Sequence, residues 1–261
     1  MSTVTTTSSP KATGFENAVE QLTPVDLTIR GEFPPWLSGV LYRTGPGTYS
    51  VPSTSDPSNV TEIQHWFDGI AMHHRFEILP ATAEHGPRVL YRSHKGAPNL
   101  ERRIADAGEY PKDLFSFAQR HRAADPCANL FKKFFTTFTS LGEALKAMGG
   151  GESKSESNDA LMRNVGVTLT PDMPGVLAGE EGEAAAAGEG RKSPRVIVAK
   201  TDGNALQLLE PSTLEPRRFM TYEDIDPRLN GQMSASHACR DAETGELCGT
   251  PSYLVTLKHA R

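Results

Sequence analysis

The stretch "QHWFDGIAMHHRFEIL", residues 64–79, decides how the chain is built, because it packs three histidines, a Trp-Phe pair and an Asp-Gly step together. Two architectures compete for it: a metal site and a hairpin. Met72, His74, Phe76 and Ile78 alternate with His73, Arg75 and Glu77, so a strand turns the first set inward and the second toward solvent. Adjacent histidines on a strand face opposite ways and do not converge on one ion. Asp68-Gly69, flanked by strand residues and with His65 on its far side, is the strongest short hairpin signal. The hairpin is therefore preferred to a ligand cluster, with Asp68, Gly69, Gly45 and Gly47 as turn formers.

Outward from this stretch, residues 22–95 read as short strands broken by turns, "GVLYRTGPG" before it and "RVLYRSHK" after it. Residues 1–20 are Ser/Thr-rich without apolar periodicity and read as a flexible, disordered lead-in, leaving 21–261 as one domain. Residues 99–148 change to helical spacing, most clearly in "NLFKKFFTTFTSLGEALKAM" with Phe131, Phe134, Phe135 and Phe138 on one stripe. A linker, 149–159, follows. Strands in "NVGVTLT" and "RVIVAKTDGNALQLLEP" flank a Gly/Ala/Glu-rich, low-complexity insertion at 175–195. Strand and turn at short intervals, without βαβ alternation, predict an all-β array with helical decoration, either a sandwich or a propeller.

Composition narrows the function class. The 261 residues carry 27 Lys and Arg against 32 Asp and Glu, a net charge of −5 with no long basic block, which argues against a nucleic-acid partner. Cys127, Cys239 and Cys248 are an odd count without CxxC spacing, so neither a disulfide framework nor a zinc ribbon is expected. No leader-like apolar segment and no membrane-spanning run occurs in the sequence, and the expected location is cytoplasmic, with contact to a membrane surface allowed.

"GEFPPWLSGVLYRTGPG" followed by "HWFDGIAMHHRFEI" resembles the opening signature of the carotenoid cleavage oxygenase family, and "RVLYRSH" resembles its next strand. "DPCANLFKKFFTTF", "NVGVTLTPDMPG", "VIVAKTDGNALQLLEPSTLEP" and "LNGQMSASHACRDAETGEL" follow in the family's order, and the details are most like the fungal carotenoid and apocarotenoid branch. The resemblance implies a seven-bladed β-propeller with a helical cap. It also implies a ferrous iron, Fe(2+), held by four histidines, where O2 cleaves a conjugated C=C bond of a carotenoid or apocarotenoid into two carbonyl products. One ligand motif is matched, "SASHACRDAETGE", which makes His237 the metal-ligand candidate. His65, His73 and His74 do not correspond to family ligands.

Seven blades of about 40 residues need about 280 residues before any cap is added. After "TGEL" the pattern departs into "CGTPSYLVTLKHAR", where His259 takes no ligand role, so a partial, truncated propeller, inactive as written, is the expectation. One imidazole alone makes a weak iron site.

The aromatic stripe with Lys132 and Lys133, within residues 127–139, suits a helix lying in a bilayer interface or equally one packed on the propeller; Cys127 beside it is a candidate for acylation. A rival substrate class is stilbenes, which relatives grip with a Tyr and a Lys. Lys200 falls at that Lys, but Phe134 stands where the Tyr would be and offers no hydrogen bond, favouring an apolar polyene. A non-catalytic carotenoid-binding remnant is the second alternative, and an unrelated sandwich domain the third. Arg43, Asp241 and Glu246 are candidates for supporting roles.

Overall fold

A computed structural model describes residues 14–111, 114, 116, 162–177, 193–229, 231, 234–241, 243 and 246–248. In chain order the strands are β1 (Val25–Asp26), β2 (Gly39–Thr48), β3 (Ser50–Pro52), β4 (Val60–Glu62), β5 (Ile70–Leu79) and β6 (Arg88–Lys95). Helix α1 (Pro98–Ala107) follows, then β7 (Thr168–Pro171), β8 (Ile197–Lys200), β9 (Leu206–Leu209), β10 (Pro216–Met220), β11 (Cys239–Arg240) and β12 (Leu247–Cys248). Among the described residues the fold is all-β, with antiparallel sheets and few helices. Two four-stranded sheets, β1-β6-β5-β2 and β10-β9-β8-β7, form its body, with the pairs β3-β4 and β11-β12 beside them. The described residues do not close a seven-bladed ring.

The opening stretch is not the hairpin expected of it. Trp66–Asp68 forms a 3-10 turn, and β5 pairs not with the residues before that turn but with β2 and β6. β4 pairs instead with β3. Asp-Gly is therefore the corner where the chain re-enters the sheet, and Gly69 has φ −54°, a value open to any residue. Its need for glycine is steric: a Cβ there would lie 2.6 Å from Cβ of Pro46 and 2.7 Å from the Tyr49 ring. Gly45 and Gly47 likewise lie inside β2 and form no turn.

Solvent does not claim one face of β5 either. His73 is 0% exposed, because the second sheet packs on the face expected to be wet. Pro46, which has no N–H for the ladder, sits on β2, an edge strand, where the register shifts between Pro46 and Thr48.

Helix α1 begins with Pro98 in its first turn and ends at Gly108, whose φ of 67° is the left-handed conformation that closes a helix, its N–H reaching Ile104 O. Leu100 and Ile104, one turn apart, are buried against Tyr49, Val51, Ile63 and Ile70. Each such side chain contributes about 1.5–3 kcal/mol through burial. Residues 14–20, expected to be a loose lead-in, are held: Phe15 packs on Tyr49 and Trp66, and Asn17 Oδ1 accepts the Tyr49 and Ser50 N–H groups at 2.8 and 3.0 Å.

In the second sheet β8 and β9 are buried on both faces. Val198, Leu206 and Leu208 join one cluster with Met173, Val176, Val196 and Met220, and Ile197, Ala199 and Leu209 join another with Val165. Tyr42 of β2 packs on the latter cluster, so the two sheets share an interior. The "NVGVTLT" strand is shorter than expected, starting at Thr168, and "RVIVAKTDGNALQLLEP" divides into β8 and β9 around the Thr201–Asn204 corner. Val176 is 3% exposed and the Arg195 N–H bonds Asp172 Oδ1 at 2.7 Å, so both ends of the 175–195 stretch belong to the packed body. The linker 149–159 and the phenylalanine stripe lie outside the described residues.

Candidate functional site

A cavity of about 730 Å³ opens where the ends of the two large sheets meet. Trp66, Phe67, Leu100, Val165 and Phe219 give it apolar walls, and Asp68, Asn164, Asp202 and Asn204 bring polar atoms to it. The Trp66–Phe67 wall exists because His65 Nδ1 accepts the Phe67 N–H at 3.3 Å, capping the 3-10 turn, while the Trp66 ring lies 5.6 Å from Phe15 and 5.8 Å from Tyr49. The Arg163 guanidinium lies 5.1 Å from the centre of the Phe219 ring.

The polar lining is largely committed to the fold. Asn164 accepts from the Ala71 N–H at 2.8 Å and donates to Gly69 O at 3.0 Å, which fixes the segment before β7 to the start of β5. Asn204 accepts from the Tyr222 N–H at 2.7 Å and donates to Gly231 O at 2.8 Å. Asp68 is 3% exposed and accepts from Ser116 Oγ at 2.8 Å. Burial, reinforced by the Asp68 charge, pushes the Tyr110 phenol far above its ordinary range, so it remains a neutral hydroxyl. A concave, mostly apolar chamber with few convergent polar groups suits an apolar ligand.

Along one side runs the segment that carries His237. Ser234 N–H donates to Asp202 O at 3.0 Å, and Ser234 Oγ donates to Thr201 O and Gly203 O, both at 3.2 Å. Ser236 Oγ donates to Asp202 Oδ1 at 2.6 Å, and Thr168 Oγ1 donates to Ser236 O. The Thr201–Asn204 corner thus lines the cavity and also holds the backbone on which His237 sits. His237 itself is exposed, in the bend entering β11. Arg240 Nη2 ties β11 to Asp172 O at 2.6 Å. Asp241 and Glu246 close the hairpin through a 2.9 Å backbone bond, and Arg43 is exposed on β2.

Among the described residues no group of three or more His, Cys, Asp or Glu side chains is placed to hold a metal ion. His237 is a single exposed imidazole on a clamped backbone. It does not make the set.

His73, His74 and His65 are each absorbed by structure. His73 Nδ1 meets Thr44 Oγ1 at 2.9 Å and Nε2 meets Gln207 Oε1 at 3.2 Å, while Gln207 Nε2 donates to Gly96 O at 2.7 Å. Because the Gln207 amide nitrogen is spent on Gly96 O, its oxygen faces His73, so Nε2 must carry the imidazole proton. Burial, with His94 and His74 nearby, pulls the His73 pKa to about 4, leaving it neutral. His74 Nδ1 bonds Tyr91 Oη at 2.9 Å. Sequence reasoning missed Gln207, although a lone amide within "LQLL" is the signal of a buried polar contact. It also missed the serines of "SAS" as clamps.

Lys200 is 1% exposed on β8, between Thr168 of β7 and Leu206 of β9, and burial lowers its pKa. Phe134 and Cys127 lie outside the described residues.

Residues 14–255 match the family model described as RPE65, retinal pigment epithelial membrane protein. The chain is 32% identical over 248 residues to a carotenoid dioxygenase of Neurospora crassa and 34% identical over 243 residues to a torulene dioxygenase of Gibberella fujikuroi, in each case across 91% of this chain. It spans 37% of the length of each. A solved structure of a Synechocystis apocarotenoid oxygenase variant aligns with 90% of this chain and 37% of its own, at 17% identity and a TM-score of 0.44.

Proposed function

The chain belongs to the RPE65 family, that of the carotenoid-cleaving oxygenases, and from that premise we propose that it serves the oxidative cleavage of a conjugated C=C bond in a carotenoid or apocarotenoid, giving two carbonyl products. The observation that carries this is the 34% identity to a torulene dioxygenase, sustained over 91% of the chain. In this proposal O2 is the co-substrate and Fe(2+) the metal. His237 would supply one imidazole, with the remaining ligands coming from outside the described residues. Iron, when bound there, would supply the activation of O2 toward the double bond. The family's propeller, with these two sheets as adjacent blades, is part of the same proposal.

The chain's own residues have definable tasks in it. Trp66, Phe67 and Phe219 offer flat apolar surface to a polyene, and the Asn164 and Asn204 amides among them are committed to backbone bonds. An apolar substrate therefore enters without breaking the hydrogen bonds of these two amides. Ser234 and Ser236 hold the backbone at His237 to the corner that lines the same chamber, limiting how far its imidazole can stray from bound substrate. The aromatic and lysine stripe at 127–139 is proposed to lie against lipid, where such substrates dissolve.

The test is incubation of the gene's full product, supplied with Fe(2+), with micellar torulene and with β-carotene under O2, followed by chromatography for paired carbonyl products. Formation of such pairs, abolished by an iron chelator, is the expected result. Retention of intact, coloured polyene by the iron-supplied protein would overturn the proposal in favour of binding without cleavage.

A further inference from the structure

We propose that Arg163 makes the chamber selective for a polyene that ends in a carbonyl oxygen, an apocarotenal, over a hydrocarbon of the same length. This deepens the reading of the chain as a polyene-cleaving oxygenase and rests on it. Among the described residues Arg163 is the single Lys or Arg that lines the chamber, and its guanidinium lies 5.1 Å from the centre of the Phe219 ring, which lines the chamber too. Both ends of the side chain are held. At its root, Asn164 bonds the Ala71 N–H and Gly69 O, and Val165 is 1% exposed in the cluster of Ile197, Ala199 and Leu209. At its tip, the Phe219 ring attracts the charge. An arginine held in this way loses little further freedom when it takes an oxygen.

The chemistry of the lining selects which oxygen. A guanidinium donates through N–H groups in its own plane and accepts nothing, so the ligand atom it recognises is an acceptor. A hydrocarbon terminus gives those groups no such atom, and its arrival strips water from a cation. A carboxylate would be the stronger acceptor, but it would enter a lining that already carries the Asp68 and Asp202 carboxylates, and like charges in a water-poor chamber repel. Asp68 accepts from Ser116 Oγ at 2.8 Å and Asp202 from Ser236 Oγ at 2.6 Å, so the fold keeps both in place. An aldehyde on a conjugated chain avoids both costs: it is neutral, and conjugation pushes electron density onto its oxygen. The remainder of such a ligand is the flat apolar polyene that Trp66, Phe67 and Phe219 suit.

Two measurable consequences follow from a charged donor at that oxygen. The aldehyde gains about 10- to 100-fold in affinity over the hydrocarbon. The hydrogen bond also draws the electrons of the polyene toward the carbonyl, so the bound aldehyde absorbs at longer wavelength than the free one. A hydrocarbon has no carbonyl to report this.

The experiment titrates the gene's full product with three ligands in detergent micelles: a β-apocarotenal, the acid obtained from it by oxidation, and the hydrocarbon in which a methyl group replaces the aldehyde. Affinity is read from quenching of tryptophan fluorescence, and the surroundings of the carbonyl from the visible spectrum. The aldehyde should bind about 10- to 100-fold more tightly than the hydrocarbon, more tightly than the acid, and with a red shift. Arg163→Met should bind aldehyde and hydrocarbon alike, with the red shift gone and the affinity for the hydrocarbon kept. Equal affinity of the unaltered protein for aldehyde and hydrocarbon, absence of the red shift, tighter binding of the acid, or persistence of the preference in Arg163→Met would each overturn the proposal. The comparisons on the unaltered protein decide the matter even where Arg163→Met does not fold. A reduced imine on a lysine after borohydride treatment would overturn it as well, since an amine would then hold the carbonyl. Cleavage of β-carotene alongside equal affinities would sink this inference and leave the oxygenase reading intact, whereas the aldehyde preference without any cleavage would uphold Arg163 and sink that reading.

Discussion

His73 shows how burial turns a chemically versatile side chain into a structural one. Its ring is 0% exposed, both nitrogens are engaged, and its folded pKa of about 4 lies below the ordinary 6.5. The sign of the consequence follows directly. As pH falls below about 6.5 the unfolded chain takes up this proton first, so stability is lost progressively between pH 6.5 and 4, by about 2 kcal/mol on going from pH 7.5 to 5. His73→Leu should remove that share of the acid sensitivity while itself costing about 1–3 kcal/mol at neutral pH, because the buried hydrogen bonds of His73 to Thr44 and Gln207 are lost. Urea titrations of both proteins at the two pH values check it; identical acid sensitivity in the variant would refute the role of this ring. The alternation in "AMHHRF" revealed a strand but not that its second face is covered by a sheet far along the chain.

At the scale of elements, the connection into β7 is fitted against β5 by the absence of a side chain. A Cβ on Gly166 would lie 2.4 Å from Ala71 Cβ, while Asn164 bonds the Ala71 N–H and Gly69 O just before that contact. Gly166→Ala should therefore cost about 1–3 kcal/mol by overpacking. Ala71→Gly in the same chain should recover part of it, and a thermal double-mutant cycle with coupling near zero would show that the two residues do not meet. The sequence made β2, β5 and β6 legible, because their β-branched and aromatic residues alternate between turn residues. It misassigned Asp68-Gly69, since the local hairpin signal cannot weigh a longer-range pairing of β5 with β2 that buries more surface.

For the molecule as a whole, Asp202 is the joint between the chamber and the segment that carries His237: it lines the cavity, its carbonyl accepts from Ser234 N–H, and its carboxylate accepts from Ser236 Oγ. Asp202→Ala should lower unfolding free energy by about 1.5–3 kcal/mol, as loss of a hydrogen bond to a charged group does. Amide exchange at Ser234 should accelerate in the variant; unchanged exchange would count against the joint. By itself the sequence determined the all-β class, the family and the strands with clean period-two patterns, because these reside in local spacing and in motifs read in order. Tertiary structure alone decided that His73 is interior, that Gln207 reaches across sheets to it, that Asp202 clamps the segment before His237, and that β11 pairs with β12. Each of those depends on which strands become neighbours, and that choice is made by burial and register summed over the whole fold rather than by any residue's immediate surroundings.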